Sequence, residues 1–357
     1  MNVFLICLSV FCGQVQHTVF PGSSHISYMG RFNMSDTAEY ICSYPASTIS
    51  VRTNSRNISA YLTDYAHDSL QTNYVEIIVD DSVYKTIQLN PHIPDTIYDI
   101  AAFDERRFRT ISIVKRTEGH IGNIGFSGFV CEANSEFEPV VTPKLSLLYI
   151  GNSITCGYGN EAVHADEEFS ARTENAYMSY AAIAARILEA SYHLIAYSGK
   201  GIYRNWADTV FKQDCMPEIF NRTYALKPSP QWNHAAYVPD VIIINLGTND
   251  FSPPLGADKT TFVSEYIQFL QDLMQHYHAV PIVLISSQML GGDERKKQIL
   301  WLHEIQSKMA SDLVSVCELS QQGDVGFGAD WHPNRAQNKI NSAELVNFLQ
   351  NNILSVK

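Results

Sequence analysis

Residues 145–161 read LSLLYIGNSITCGYGNE. An apolar run the length of one strand ends in a glycine, and a serine follows in a polar, glycine-rich turn. The texture returns at 192–199 (YHLIAYSG), 240–247 (DVIIINLG), 281–287 (PIVLISS) and 313–320 (LVSVCELS). Continuous apolar runs of this kind suit parallel strands covered on both faces. Helices are predicted between them at 175–190, 260–277, 293–310 and 336–353. Leu270, Leu273, Met274 and Tyr277 fall on one apolar stripe, and Leu345, Phe348 and Leu349 on another. Strand–helix alternation predicts a three-layer α/β/α domain over 145–357, with a parallel sheet and right-handed crossovers.

Upstream the texture differs. Short runs rich in β-branched and aromatic residues include STISVRT, ISAYLTDY, NYVEIIVDD, KTIQLN, RTISIVKR and IGFSGFVC. Several alternate apolar with polar residues, the period of a half-buried strand, and no long helical period is present. A β-sandwich of jelly-roll type is predicted over 22–135. The polar segment 132–144, with Pro139 and Pro143, reads as the connection between the two domains.

The chain has 357 residues, 45% hydrophobic and 17% charged, which is ample material for two cores. Its formal net charge is −12, with no block of Lys or Arg, so nucleic acid is not an expected partner. The opening MNVFLICLSVFCGQVQ has an apolar core too short to span a bilayer. Residues 1–20 resemble a signal peptide, although no basic residue precedes the core and no A-x-A site follows; a buried first strand is the alternative. The expectation is a secreted or periplasmic monomer with no membrane partner. The seven cysteines include no C-x-x-C pair and read as buried thiols. Asn33, Asn57 and Asn221 begin glycosylation sequons, meaningful only in a eukaryotic secretory cell.

In open α/β sheets, ligands bind beyond the carboxyl ends of the strands. Gly151-Asn-Ser153 follows the first strand of the second domain, Ser198-Gly199-Lys-Gly201 the second, and Gly247-Thr-Asn249-Asp250 the third; Asp330-Trp-His332-Pro precedes the last helix. These clusters supply a hydroxyl, backbone donors, an amide and an imidazole, the parts that ester hydrolysis needs. A serine hydroxyl attacks only when a neighbouring base takes its proton. The resulting oxyanion needs preorganised donors, each worth about 10²–10³ in rate. The N–H groups of Ser153 and Gly199 and the amide of Asn249 could supply three, with Gly201 competing for the second place. His332 would act as base first and acid second.

GNSIT, SGKG, GTND and DWHPN resemble the four blocks of the SGNH hydrolase superfamily, which includes the GDSL lipases. GNSITCGYGNE with YSGKGIYRNW and GADWHPN is nearer still to carbohydrate esterase family 2, as are GRF at Gly30–Phe32 and NYVEIIVDD at 73–81. The resemblance runs from about residue 25 to the end. It implies a β-sandwich joined to an SGNH domain, a serine esterase removing acetyl groups from plant polysaccharides such as xylan and mannans, and no metal or cofactor. It makes Ser153 the nucleophile, Gly199 and Asn249 oxyanion donors, and His332 the base. Two positions depart from the superfamily. Asn152 stands where Asp is usual. Ala329 stands three residues before the histidine, where the triad acid belongs. Either Asp330 completes a triad, or a backbone carbonyl orients the imidazole of a dyad.

Among aromatic residues, Trp331 and Tyr158 are candidates to stack on a sugar ring, with Trp206 and Trp232 behind them. Glu161 and Glu174 are read as scaffold partners of Arg204. The remaining histidines show no metal-ligand spacing. Two other functions stay open: a GDSL-type lipase or thioesterase, and a carbohydrate-binding protein with a vestigial centre. The polar surroundings of Ser153 favour a sugar ester.

Overall fold

A computed structural model of the chain describes residues 10–11, 14–68, 71–91, 93–211 and 213–356. Most of the apolar core of the expected leader lies outside the described residues. Gln14–Val19 is a strand paired with Gly122–Glu132. The chain divides into two compact units. One runs to Thr142 without Glu118–His120; the other holds Glu118–His120 and Pro143 onward.

The first unit is built of antiparallel strands in two sheets. One contains Thr48–Thr53, Arg109–Lys115, Tyr74–Val79 and Ser82–Gln88; the other contains Gly122–Glu132, Asn57–Ala66 and Thr96–Ala102. Alternate residues of each sheet turn to one core, where Ile49, Val51, Ile77 and Ile113 meet Ala60, Leu62, Phe126 and Phe129. This is the packing that the period-two pattern predicts. Phe137–Glu138, inside the expected connection, adds a short strand against Thr53 and Arg52.

The second unit carries a five-stranded parallel sheet: β1 (Leu145–Gly151), β2 (Ala190–Ala196), β3 (Val241–Asn245), β4 (Ile282–Ile285) and β5 (Val314–Cys317). Their order is β2-β1-β3-β4-β5. Strand order therefore reverses between β1 and β3. The carboxyl ends of β2, β1 and β3 are level, since Gly151 pairs with both Ala196 and Asn245. Its helices include α1 (Ser153–Cys156), α2 (Tyr180–Ile187), α3 (Lys259–His276), α4 (Gly292–Met309) and α5 (Arg335–Asn352). Helix α2 packs on α5 and α3 on α4, the two pairings that right-handed crossovers impose on this order.

Two elements differ from expectation. The helix expected over 175–190 is a 3₁₀ turn at Ala176–Met178 followed by α2. Ser179, extended at φ −72° and ψ 156°, caps the second piece, because a short hydroxyl side chain competes for backbone N–H groups. Strand β2 leaves the sheet at Ala196, so Tyr197–Gly201 forms a loop beyond its end.

All four tryptophans lie in the second unit, so their fluorescence follows its unfolding. Ile243, fully buried in β3, tests the central strand. Denaturant titration of Ile243→Ala is expected to show a loss of about 2–5 kcal/mol, and Ile243→Val only about 0.5–1.5 kcal/mol.

Candidate active site

The end of β1 sets the first side chain. A Cβ on Gly151 would stand 2.0 Å from Thr155 Oγ1, so the chain can turn tightly only with glycine there. Asn152 caps α1, its side-chain oxygen accepting the Ile154 N–H at 3.1 Å. Asp at this place would accept the same bond, so the departure from the superfamily leaves the cap intact. Ser153 opens the helix and is 8% exposed. Beneath it, Thr155, Tyr180, Asn245 and Gln288 are linked by hydrogen bonds of 3.1 Å.

The second loop is held from the third. Asp250 is fully buried and accepts the backbone N–H groups of Ile202, Tyr203 and Arg204 at 3.0–3.2 Å. Burial pushes its carboxyl up to about 6, against the lowering effect of those N–H groups. A Cβ on Gly201 would collide with Arg204 O and Asp250 Oδ2, at 2.1 and 2.5 Å, so Gly201 serves this close approach. Gly199, at φ +78°, takes a conformation open to glycine and strained for other residues. Asn249 donates one Nδ2 hydrogen to Lys200 O at 2.8 Å and keeps a second.

His332 Nε2 lies 2.9 Å from Ser153 Oγ. Its Nδ1 lies 3.1 Å from the carbonyl oxygens of both Ala329 and Asp330. Carbonyl oxygens only accept, so Nδ1 carries the hydrogen and Nε2 turns a lone pair to the serine hydroxyl. The Asp330 carboxylate is elsewhere: its Oδ2 accepts the Tyr158 hydroxyl at 2.7 Å. Of the two arrangements left open above, the one present has backbone carbonyls at Nδ1.

Ser153, Gly199, Asn249 and His332 line one open cleft of about 830 Å³, with Trp206, Phe251, Met289 and Leu290 among its apolar walls and Glu294 at its polar side. This is the size range of small-ligand sites. Tyr158 and Trp206 line it; Trp331 and Trp232 do not. Trp331, at φ +59°, is 57% exposed and packs on Phe327 instead. Trp232 packs on His193. The expected pairing of Arg204 with Glu161 and Glu174 is absent. The Arg204 guanidinium binds carbonyl oxygens of Asp208, Asp250, Ser252 and Gly256. Glu161 accepts from Asn175, and Glu174 accepts the Glu118 N–H. Sequence reasoning also missed Glu118, which groups with this unit and accepts the Ser198 N–H at 2.7 Å beside Gly199. Glu118, Glu174 and Cys156 bring three metal-type donor atoms within 4.8 Å of one another, all buried. Burial holds the Cys156 thiol protonated, well above its ordinary range.

The GDSL-like Lipase/Acylhydrolase family model matches residues 149–340, more than half of the chain. The chain belongs to that family. The Carbohydrate esterase 2 N-terminal model matches residues 28–140 ahead of it. The cellulase/esterase CelE of Acetivibrio thermocellus is 32% identical over 92% of the chain, which spans 39% of that protein's length. An acetylxylan esterase / glucomannan deacetylase of Cellvibrio japonicus is 26% identical over 92% of the chain and 89% of its own length. Among solved structures, a family two carbohydrate esterase from Clostridium thermocellum in complex with cellohexaose superposes with a TM-score of 0.85 at 29% identity, covering 91% of this chain and 98% of that one. One from Cellvibrio japonicus gives 0.86 at 25%, covering 96% and 99%.

In this member of the GDSL-like family the imidazole is a weak base. Burial pushes His332 down to about 4, opposed by the Ala329 and Asp330 carbonyls and the Asp330 charge. The ring is therefore neutral at pH 7. Side-chain NMR titration should place its midpoint near 4 rather than at the ordinary value of about 6.5. Between those values the unfolded chain binds the extra proton, so His332 makes folding less stable as pH falls through this window. A midpoint at or above 6.5 would contradict the burial argument.

Proposed function

We propose that the chain is a serine carbohydrate esterase that removes O-acetyl groups from plant polysaccharides, xylan and glucomannan in particular. One observation carries the reading: Ser153 Oγ, His332 Nε2 and two backbone carbonyls stand in line at the edge of an open cleft. The names of the relatives above support the substrate class. Binding of polysaccharide outside the cell goes with export of the chain, which is part of the proposal.

In the proposed reaction, Ser153 Oγ attacks the acetyl carbonyl while its proton moves to His332 Nε2. The oxyanion takes hydrogen bonds from the N–H groups of Ser153 and Gly199 and the remaining Nδ2 hydrogen of Asn249. His332 gives the proton to the departing sugar oxygen, which leaves as a hydroxyl, and acetyl stays on Ser153. Water then attacks, His332 takes its proton and returns it to Ser153 Oγ as the acyl bond breaks, and acetate leaves, its acid proton passing to solvent. The two carbonyls hold the tautomer through both steps. Asp250 and Glu118 act at a distance, by fixing the loop that presents Gly199.

The apolar wall of Phe251, Met289 and Leu290 favours a second reading, a longer acyl chain. Turnover of aryl acetate against aryl octanoate separates the two: the acetylesterase reading requires the acetate to be faster. On acetylated xylan, Ser153→Ala and His332→Ala should lose acetate release by about 10⁴ or more while remaining folded. Asp330→Asn should stay within about tenfold, since a triad acid would cost about 10⁴. A Ser153→Ala variant at near-parental rate sinks the mechanism.

A further inference from the structure

The mechanism leaves the Tyr158 ring and the Asp330 carboxylate unused, yet both bear on the imidazole. The Tyr158 ring stacks on His332, with centroids 4.1 Å apart and planes 29° from parallel. The same ring packs against Phe169 at 4.4 Å. Its hydroxyl donates to Asp330 Oδ2 at 2.7 Å. Its backbone N–H donates to Ser153 O at 3.1 Å. Tyr158 is thus tied to the serine by its main chain, and to the histidine segment by its ring and its hydroxyl.

That segment needs such ties. Asp330 and Trp331 both have positive φ, 48° and 59°, where non-glycine residues are strained. The backbone is pinned by Ala329 N–H to Gly159 O, Asp330 N–H to Glu167 O and Trp331 N–H to Ala165 O, at 3.0–3.1 Å. These bonds fix the main chain and the Nδ1 direction, but not the tilt of the imidazole about that direction. A stacked ring does fix it. An aromatic face also attracts a cation, and the reaction turns His332 into one with no carboxylate at Nδ1 to balance it.

We propose that Tyr158, held in place by Asp330, is a positioning residue for His332: its ring sets the plane of the imidazole and favours the imidazolium as the proton arrives. This rests on the esterase reading above. It gives Tyr158 a part other than a platform for sugar, because the face it turns to His332 is occupied.

The test compares the full chain with Tyr158→Leu, Tyr158→Phe, Asp330→Asn and the Tyr158→Phe/Asp330→Asn double variant. Aryl acetate and acetylated xylo-oligosaccharide are the substrates. Tyr158→Leu should lower kcat by about 10–100-fold on both, the scale of a misplaced catalytic group, with KM within about threefold. Tyr158→Phe keeps the ring and should recover most of that loss. The double variant should be no worse than either of its single changes, since both remove one bond. The His332 titration midpoint, read from its ring protons, should fall in Tyr158→Leu and hold in Tyr158→Phe. A Tyr158→Leu variant with raised KM and parental kcat would make the residue a substrate platform and overturn the proposal. So would an unchanged midpoint. If Tyr158→Leu does not fold, additive losses in the double variant overturn it instead. An inactive parent would sink the esterase reading alone, because the midpoint reports the effect of the ring on the imidazolium without turnover.

Discussion

The 2.9 Å contact between Ser153 Oγ and His332 Nε2 joins residues 179 positions apart, and three constraints must hold for it to form. The sheet must end level at Gly151, Ala196 and Asn245, so that loops from neighbouring strands open onto the same edge. The chain must turn within two residues of β1, which a side chain at Gly151 would block. The histidine segment must lie against the loop after α1, where Gly159, Ala165 and Glu167 accept its N–H groups. The fold meets the first constraint at the point where strand order reverses, the natural crevice of such sheets. The second is local to the end of β1; the third joins segments far apart in the chain.

The choice of carbonyls over a carboxylate at Nδ1 has an electrostatic consequence. A buried carboxylate would favour the imidazolium and raise the ring's affinity for protons. Dipoles of two carbonyls do so less, and burial keeps the ring near 4. In the proposed reaction such a base is fully available at neutral pH but pulls weakly on the serine proton. The burden of that reaction then falls on placement and on the proposed oxyanion donors. The structure is rich in devices for placement. Asp250 holds three backbone N–H groups of the Gly199 loop, and Arg204 gathers the carbonyls around Asp250.

Much of this was legible in the sequence, for physical reasons. Parallel strands buried on both faces leave uninterrupted apolar runs, so the five strands of the parallel sheet could be read and the polar clusters after them located. Sandwich strands leave alternation, and Ile49, Val51, Val75 and Ile77 followed it inward. Contacts between distant side chains leave no such trace. The Tyr158–Asp330 bond spans 172 residues, and nothing in DWHP says which way Asp330 turns. The positive φ of Trp331 carries its ring to Phe327 and out of the cleft. Arg204 invited acidic partners, but buried carbonyl oxygens satisfy a guanidinium equally well. Glu118 sits in RTEGH, between two strand patterns of the other unit, where no local signal marks it.

The central claim is that Ser153 is activated by His332 with no carboxylate at Nδ1. Covalent trapping with a fluorophosphonate, followed by mass mapping of the adduct, tests it most directly. The adduct should fall on the peptide containing Ser153. It should form at near-parental rate in Asp330→Asn and be lost in His332→Ala. An adduct on another residue, or trapping that fails in Asp330→Asn as completely as in His332→Ala, would contradict the account.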